Sequence, residues 1–145
     1  VSADMPPDIH DIRFFVYGSP VPQGRPRFAR RGNFVTTYDH PASKSWKETV
    51  KWQAIENKPP LLTGALSMKL TFRLVKPKKL PKKVKHHVKK PDLDNLCKAI
   101  KDALEGICYE RDQQISELYL KKEYSQDGFS PGVQIEIKQL NPFDE

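Results

Sequence analysis

The sequence predicts a single small α/β domain: a mixed β-sheet of four to five strands with two main helices packed on it. Three observations carry this. Some segments alternate apolar and polar residues with period two, as strands with one face on a core do. Two others repeat apolar residues at helical spacing. Strand-like and helix-like segments are interleaved along 145 residues, enough for one domain with its own core.

Residues 1–11 are polar and carry Pro6 and Pro7, so they are set apart as a flexible leader before a domain spanning 12–140 and a tail at 141–145. Ile12 to Tyr17 is apolar, aromatic and β-branched, hence a strand. Gly18, Pro20, Pro22, Gly24 and Pro26 then punctuate a stiff loop that carries Arg25 and Arg27. After a turn at Gly32-Asn33, Phe34 to Thr37 makes a short strand. Ala42 to Ile55 reads as a helix with Trp46, Val50 and Ala54 on one face and Asp39 or Ser43 as its cap. Trp52 and Ile55 form a second apolar sector, so this helix is expected to be covered on two sides. Ala65 to Val75 alternates, with Leu66, Met68, Leu70, Phe72 and Leu74 against Ser67, Lys69, Thr71 and Arg73. Pro77 and Pro81 make residues 76–90 a loop. Asn95 to Glu105 is the clearest helix, with Leu96, Ile100, Ala103, Leu104 and Ile107 as its stripe and Gly106 as its stop. Ile115 to Tyr124 and Val133 to Ile137 read as strands, expected to pair antiparallel with each other.

The formal net charge is +7, which favours an anionic partner but says nothing about fold. No apolar run approaches the roughly 20 residues of a membrane helix, and no signal-peptide pattern opens the chain. Cys97 and Cys108 are too few for a disulfide scaffold and wrongly placed for a thiolate metal site. A reduced, cytoplasmic protein with no membrane partner is the expectation.

The positive charge is unevenly spread. Arg73, Lys76, Lys78, Lys79, Lys82, Lys83, Lys85, Lys89 and Lys90 follow one another with no intervening acid. Arg25, Arg27, Arg30 and Arg31 form a second basic stretch. Mutual repulsion among such lysines is relieved by phosphates, so nucleic-acid backbone contact is expected, against the blander reading of a solvated loop. His86 and His87 read as polar loop groups rather than metal ligands.

Acids gather directly after the basic run. Asp92 and Asp94 are two apart, which places both carboxylates on one side of an extended chain, and Pro91 disfavours helix for the residue before it. Asp94 would then cap the helix that follows, a purely structural role that leaves Asp92 unexplained. Two close carboxylates repel unless a cation neutralises them, and oxygen donors select hard ions such as Mg²⁺ or Mn²⁺. Asp112 is the candidate third ligand, but only if the chain doubles back after the helix; on spacing alone, surface and capping roles stay open. Lys98 lies one turn after Asp94, either as a commonplace i,i+4 partner or as a cation beside a phosphate. Asp102 is expected to pair with Lys98 or Lys101.

The run Lys90-Pro-Asp-Leu-Asp-Asn-Leu-Cys-Lys-Ala-Ile-Lys-Asp-Ala-Leu, followed by Tyr109-Glu-Arg-Asp-Gln-Gln-Ile, resembles the signature of RusA-family Holliday junction resolvases. Gly18-Ser-Pro-Val-Pro-Gln-Gly-Arg-Pro-Arg resembles the variant in Gram-positive and prophage members. The similarity runs from about Ile12 to Ile137. It implies a small homodimeric, Mg²⁺-dependent endodeoxyribonuclease, Mn²⁺ being able to substitute, that binds four-way DNA junctions and nicks two strands symmetrically. The essential family carboxylates match Asp92, Asp94 and Asp112, and the essential lysine matches Lys98. Family members carry acids at both positions before the Gln; here Arg111 replaces the first. The basic segments would grip DNA backbones away from the cut. The rival readings are a metal-dependent nuclease for another branched DNA, and a nucleic-acid-binding protein without catalysis.

Overall fold

In a computed structural model, residues 10–24, 27–38, 40–126 and 128–143 are described. β1 (Asp11–Tyr17), β4 (Leu66–Leu74), β5 (Ile115–Tyr124) and β6 (Gly132–Gln139) form one sheet in the order β1-β6-β4-β5, while β2 (Arg27–Arg31) and β3 (Phe34–Tyr38) form a separate hairpin. Helices α1 (Pro41–Glu56) and α2 (Leu93–Leu104) pack together over one face of the sheet. The expected small α/β domain is therefore what the chain forms.

The strands expected from composition and from period-two alternation bury one face each. Ile12, Phe14 and Val16 of β1, the five apolar residues of β4, and Val133, Ile135 and Ile137 of β6 all enter the core. Ser67 and Thr71 on the opposite face of β4 are buried too, because β4 is flanked by β6 and β5. On α1, Trp46, Val50 and Ala54 are buried as expected.

Several expectations are corrected. Trp52 and Ile55 are 63% and 40% exposed, so α1 is covered on one side only. Its cap is His40, whose Nδ1 accepts from the Ala42 N–H at 3.1 Å, with Pro41 at the first helical position. Ser43 is buried and donates to the Pro22 carbonyl instead, and Asp39 lies outside the described residues. β5 does not pair with β6. It pairs in parallel with β4, and β6 runs antiparallel to β4 on the other side. The connection at residues 125–131 suggested a hairpin, yet it has only to step over one strand, about 10 Å. The loop expected to run from Gly18 through Arg27 ends sooner, because Arg27 already opens β2 and pairs with Tyr38.

The parallel β4–β5 pair requires a crossover, and α2 supplies it. Leu96, Cys97, Ala99, Ile100, Ala103 and Leu104 anchor α2 on the sheet. Gly106, at φ 82°, turns the chain back, and its N–H donates to the Tyr109 carbonyl at 2.7 Å. As in any crossover helix, the start of α2 lies towards the end of β5, and its end lies towards the start of β5.

Candidate metal and nucleic-acid site

The residues at the start of α2 are assembled by backbone contacts that sequence spacing did not reveal. The Lys90–Pro91 peptide bond is cis. Asp92, extended at φ −74° and ψ 148°, is the N-cap residue, although its side chain makes no capping bond. Asp94 is therefore not the cap but a residue of the first turn. Both carboxylates are exposed, and neither makes a hydrogen bond or ion pair with the described residues. Both lie at the positive end of the helix macrodipole, where negative charge is favoured. Lys98 is exposed one turn further on.

Two clamps hold this segment. Lys122 of β5 donates from Nζ to the carbonyls of Lys89 at 2.7 Å and Pro91 at 2.9 Å, immediately before Asp92. The Gln23 N–H donates to the Asn95 carbonyl at 2.9 Å, which lays the proline-rich loop against the first turn of α2. Lys122 went unnoticed in the sequence. Its signal was a lysine sharing a strand face with Leu118, Leu120 and Tyr124. That loop leads directly to Arg25, outside the described residues, and to the backbone of Arg27.

Asp112 is placed elsewhere. It opens a single 3-10 turn, Asp112–Gln114, just before β5. Its N–H donates to Glu105 Oε1 at 3.0 Å, and its carboxylate lies 3.8 Å from Lys101 Nζ. Gln114 secures the turn by donating to the carbonyls of Leu62 and Gly64 and accepting from the N–H groups of Glu110 and Arg111. Lys101 is seven residues beyond Asp94, about 10 Å along the helix axis. From Ile115 to the Lys122 clamp, β5 runs roughly 23 Å. Within one chain, then, Asp92 and Asp94 stand at the start of α2, while Asp112 is held beside Glu105 and Lys101 at its end. Among the described residues, no group of three or more His, Cys, Asp or Glu side chains comes together in a form that would hold a metal ion. The pair at the start of α2 still suits a hard cation, because Mg²⁺ commonly takes one or two carboxylates and keeps several waters.

Asp102 departs from expectation. It lies 3.9 Å from Lys47 of α1, while Lys101 is the residue that meets Asp112. Burial raises the Asp102 pKa, and Lys47 and Lys98 oppose that rise.

The basic loop is fastened to the free edge of β5. The Tyr124 N–H donates to the Lys85 carbonyl at 3.0 Å, and His86 forms a bridge with Glu123. The His87 ring lies 4.8 Å from that of Tyr124. A groove lined by Lys76, Lys82, Lys83, Lys85, Tyr124 and Gln126 runs along the loop. Lys78, Lys79, Lys89 and Lys90 are exposed around it. Lys76 and Arg73 of the basic run are engaged internally. Lys76 donates to the Lys82 carbonyl at 2.7 Å, and Arg73 faces the buried Glu123 at 3.7 Å while lying over the Phe15 ring.

The fold and this site together define a small α/β protein with an exposed carboxylate pair set between a basic loop and a proline-rich loop. The family described as Endodeoxyribonuclease RusA matches residues 17–138. The chain belongs to that family. It is also similar to a Bacillus subtilis (strain 168) protein described as "Uncharacterized protein YqaN", 35% identical over 141 residues that cover 90% of this chain and 97% of that one. No helix among the described residues is long and apolar enough to cross a membrane.

Proposed function

We propose that this protein is a structure-selective endodeoxyribonuclease that resolves four-way DNA junctions by paired, Mg²⁺-dependent phosphodiester hydrolysis. The observation that carries this is the exposed Asp92–Asp94 pair, unpartnered among the described residues, within the RusA-family signature and directly after the lysine-rich loop. A protein built only to hold DNA gains nothing from bare carboxylates beside its phosphate-binding lysines.

Asp92 and Asp94 would hold the ion. When bound, it supplies Lewis-acid charge at the phosphate and an acidified water. Water attacks phosphorus, the bond to the 3′ oxygen breaks, and the products are a 5′-phosphate and a 3′-hydroxyl. Lys98 donates to a non-bridging oxygen of the same phosphate, a charge-assisted bond that strengthens as negative charge grows there. Lys78, Lys79, Lys82, Lys83 and Lys85 hold duplex backbone away from the cut, positioning it without reading bases.

Asp112 joins this reading through a second copy of the chain. A C₂ dimer relating two α2 helices in antiparallel fashion would bring the Asp112 end of one copy to the Asp92 end of the other. The homodimer that the family implies therefore offers both the third carboxylate and the two sites that symmetric cutting needs.

The test compares a four-way junction, a flap and a linear duplex, each with Mg²⁺ and with chelator. Paired nicks confined to the junction and abolished by chelator are expected. Asp92→Asn should lower cutting more than about 100-fold, since the ion's contribution is several kcal/mol, while junction binding is unchanged or tighter. Undiminished cutting by Asp92→Asn overturns the proposal. Flap cutting that exceeds junction cutting transfers it to another branched DNA.

A further inference from the structure

The β2–β3 hairpin plays no part in the core and no part in the carboxylate site, yet it is the most unusual surface of the molecule. Phe28, Phe34, Val35 and Tyr38 are 71%, 75%, 59% and 48% exposed. Of the hairpin side chains described, only Ala29 is even half-buried. Strands this short and this uncovered contribute little to folding, so the aromatic residues are not there to hold the domain together. Scattered single apolar residues on a surface need no explanation, but three rings on a ten-residue ribbon do.

The charge around the rings says what they face. From Ile12 to Tyr38 there is no aspartate or glutamate, and the same stretch carries five arginines, Arg30 and Arg31 exposed among them. The ribbon is regularly paired along its whole length. Arg31 pairs with Phe34 across a two-residue turn in which Gly32 takes φ 62°, as a hairpin turn of this length requires. Five residues of strand give an arm of about 17 Å. The proline-rich loop that precedes it is held beside the carboxylate pair: the Gln23 N–H donates to the Asn95 carbonyl at 2.9 Å, and Ser43 of α1 donates to the Pro22 carbonyl at 3.0 Å.

The register divides the rings between the two faces of the ribbon. Phe28 lies with Thr37, Arg30 and Val35, and Phe34 and Tyr38 lie with Ala29, Arg31 and Thr36. Aromatic rings interleaved with arginines and free of acids match a polyanion whose bases are available for stacking. In an unbroken duplex those ring faces are already stacked on one another. They are open only where the helix is interrupted.

We infer that the β2–β3 hairpin is a stacking arm that inserts Phe28 or Phe34 against unstacked bases at a DNA branch point, with Arg30 and Arg31 on the flanking phosphates. This rests on the DNA-directed reading above and adds to it the element that tells a junction from a duplex. Apolar wedges between base steps are an established way for β-ribbons and loops to hold distorted DNA.

The test is equilibrium binding without divalent metal, so that nothing is cut. The probes are a four-way junction carrying 2-aminopurine beside the branch point and a linear duplex of the same sequence. The wild-type chain should change the 2-aminopurine emission on binding the junction. Phe28→Leu with Phe34→Leu keeps apolar bulk but removes the rings. That variant should lose the emission change and bind the junction about 10-fold more weakly, with duplex affinity within about 2-fold of wild type. Phe28→Tyr with Phe34→Tyr should restore both. Since the rings are exposed, far-UV circular dichroism should be the same for all three proteins. An unchanged emission response and junction-to-duplex ratio in the leucine variant overturns the inference. So does a leucine variant whose only defect is loss of dimer in sedimentation, which would assign the rings to a second copy. Ring-dependent binding without Mg²⁺-dependent cutting would leave the arm standing and remove the nuclease. Cutting with ring-independent junction binding would do the reverse.

Discussion

Asp92 and Asp94 show how two residues of one type, two positions apart, take different local roles. Asp92 ends the extended chain, and Asp94 is already in the helix, so the shared side expected of an extended pair becomes a shared exposure at one helix end. Neither has an internal partner among the described residues, as the proposed cation site requires. The cysteines are the opposite case. Burial pushes the Cys97 thiol up to about 11 and the Cys108 thiol up to about 12. At neutral pH both are protonated and enclosed, and a thiol reagent needs thiolate. The native protein should therefore not react with a colorimetric disulfide reagent at pH 7.5, whereas both thiols should react after unfolding. Rapid labelling of either in the native state would contradict this packing. Tyr109 is fully buried, and its hydroxyl donates to the Lys101 carbonyl at 2.7 Å. Tyr109→Phe should cost about 1–2 kcal/mol in urea unfolding, because a buried acceptor loses its donor. It should also loosen the turn that carries Asp112.

At the level of elements, β1 depends on one backbone feature. A Cβ at Gly132 would lie 2.1 Å from the Val16 carbonyl and 2.5 Å from the Phe15 ring, so Gly132→Ala cannot be accommodated without parting β1 from β6. Lower thermal stability, and faster hydrogen exchange of β1 amides than of β4 amides, are the expected readouts. The basic loop carries a pH dependence. Burial, and then Lys122, lower the His87 pKa below its ordinary value of 6.5. The unfolded chain therefore binds this proton more readily than the folded one. The stability is present above about 6.5, the unfolded value, and is lost as pH falls through the folded pKa. Acidification should accordingly lower the protection of the Tyr124 amide, which donates to Lys85, relative to its intrinsic exchange rate at each pH, and His87→Phe should suppress that change. The elements legible in the sequence were those whose signal is local: the apolar and β-branched composition of β1, the alternation of β4 and β6 and the stripe of α2. Partner choice was not legible, because β5 and β6 are joined by a connection short enough for a hairpin yet long enough to cross β4. Nor was β2, since the glycine and proline punctuation before it hid the point at which pairing begins.

Across the whole molecule, the candidate site was legible as a set of residues but not as a place. The signature from Lys90 to Asn95 marks the carboxylate pair, and the structure adds its supports, Lys122 and Gln23, which no local spacing reveals. Asp112 matches the third family carboxylate only if the chain doubles back, and the turn after α2 holds it against Lys101 and Glu105, at the end of a helix whose start carries the pair. Under the proposed function, a single chain would present two incomplete halves that a second copy completes. The most direct measurement co-expresses Asp92→Asn and Asp112→Asn chains under different tags, isolates the mixed dimer and assays nicking of a four-way junction in Mg²⁺. If the halves meet across the dimer, the mixed species has one site with both substitutions and one with neither. It should nick one strand at close to the wild-type rate per intact site, while each variant alone stays inactive. A mixed dimer as inactive as its parents would contradict the claim.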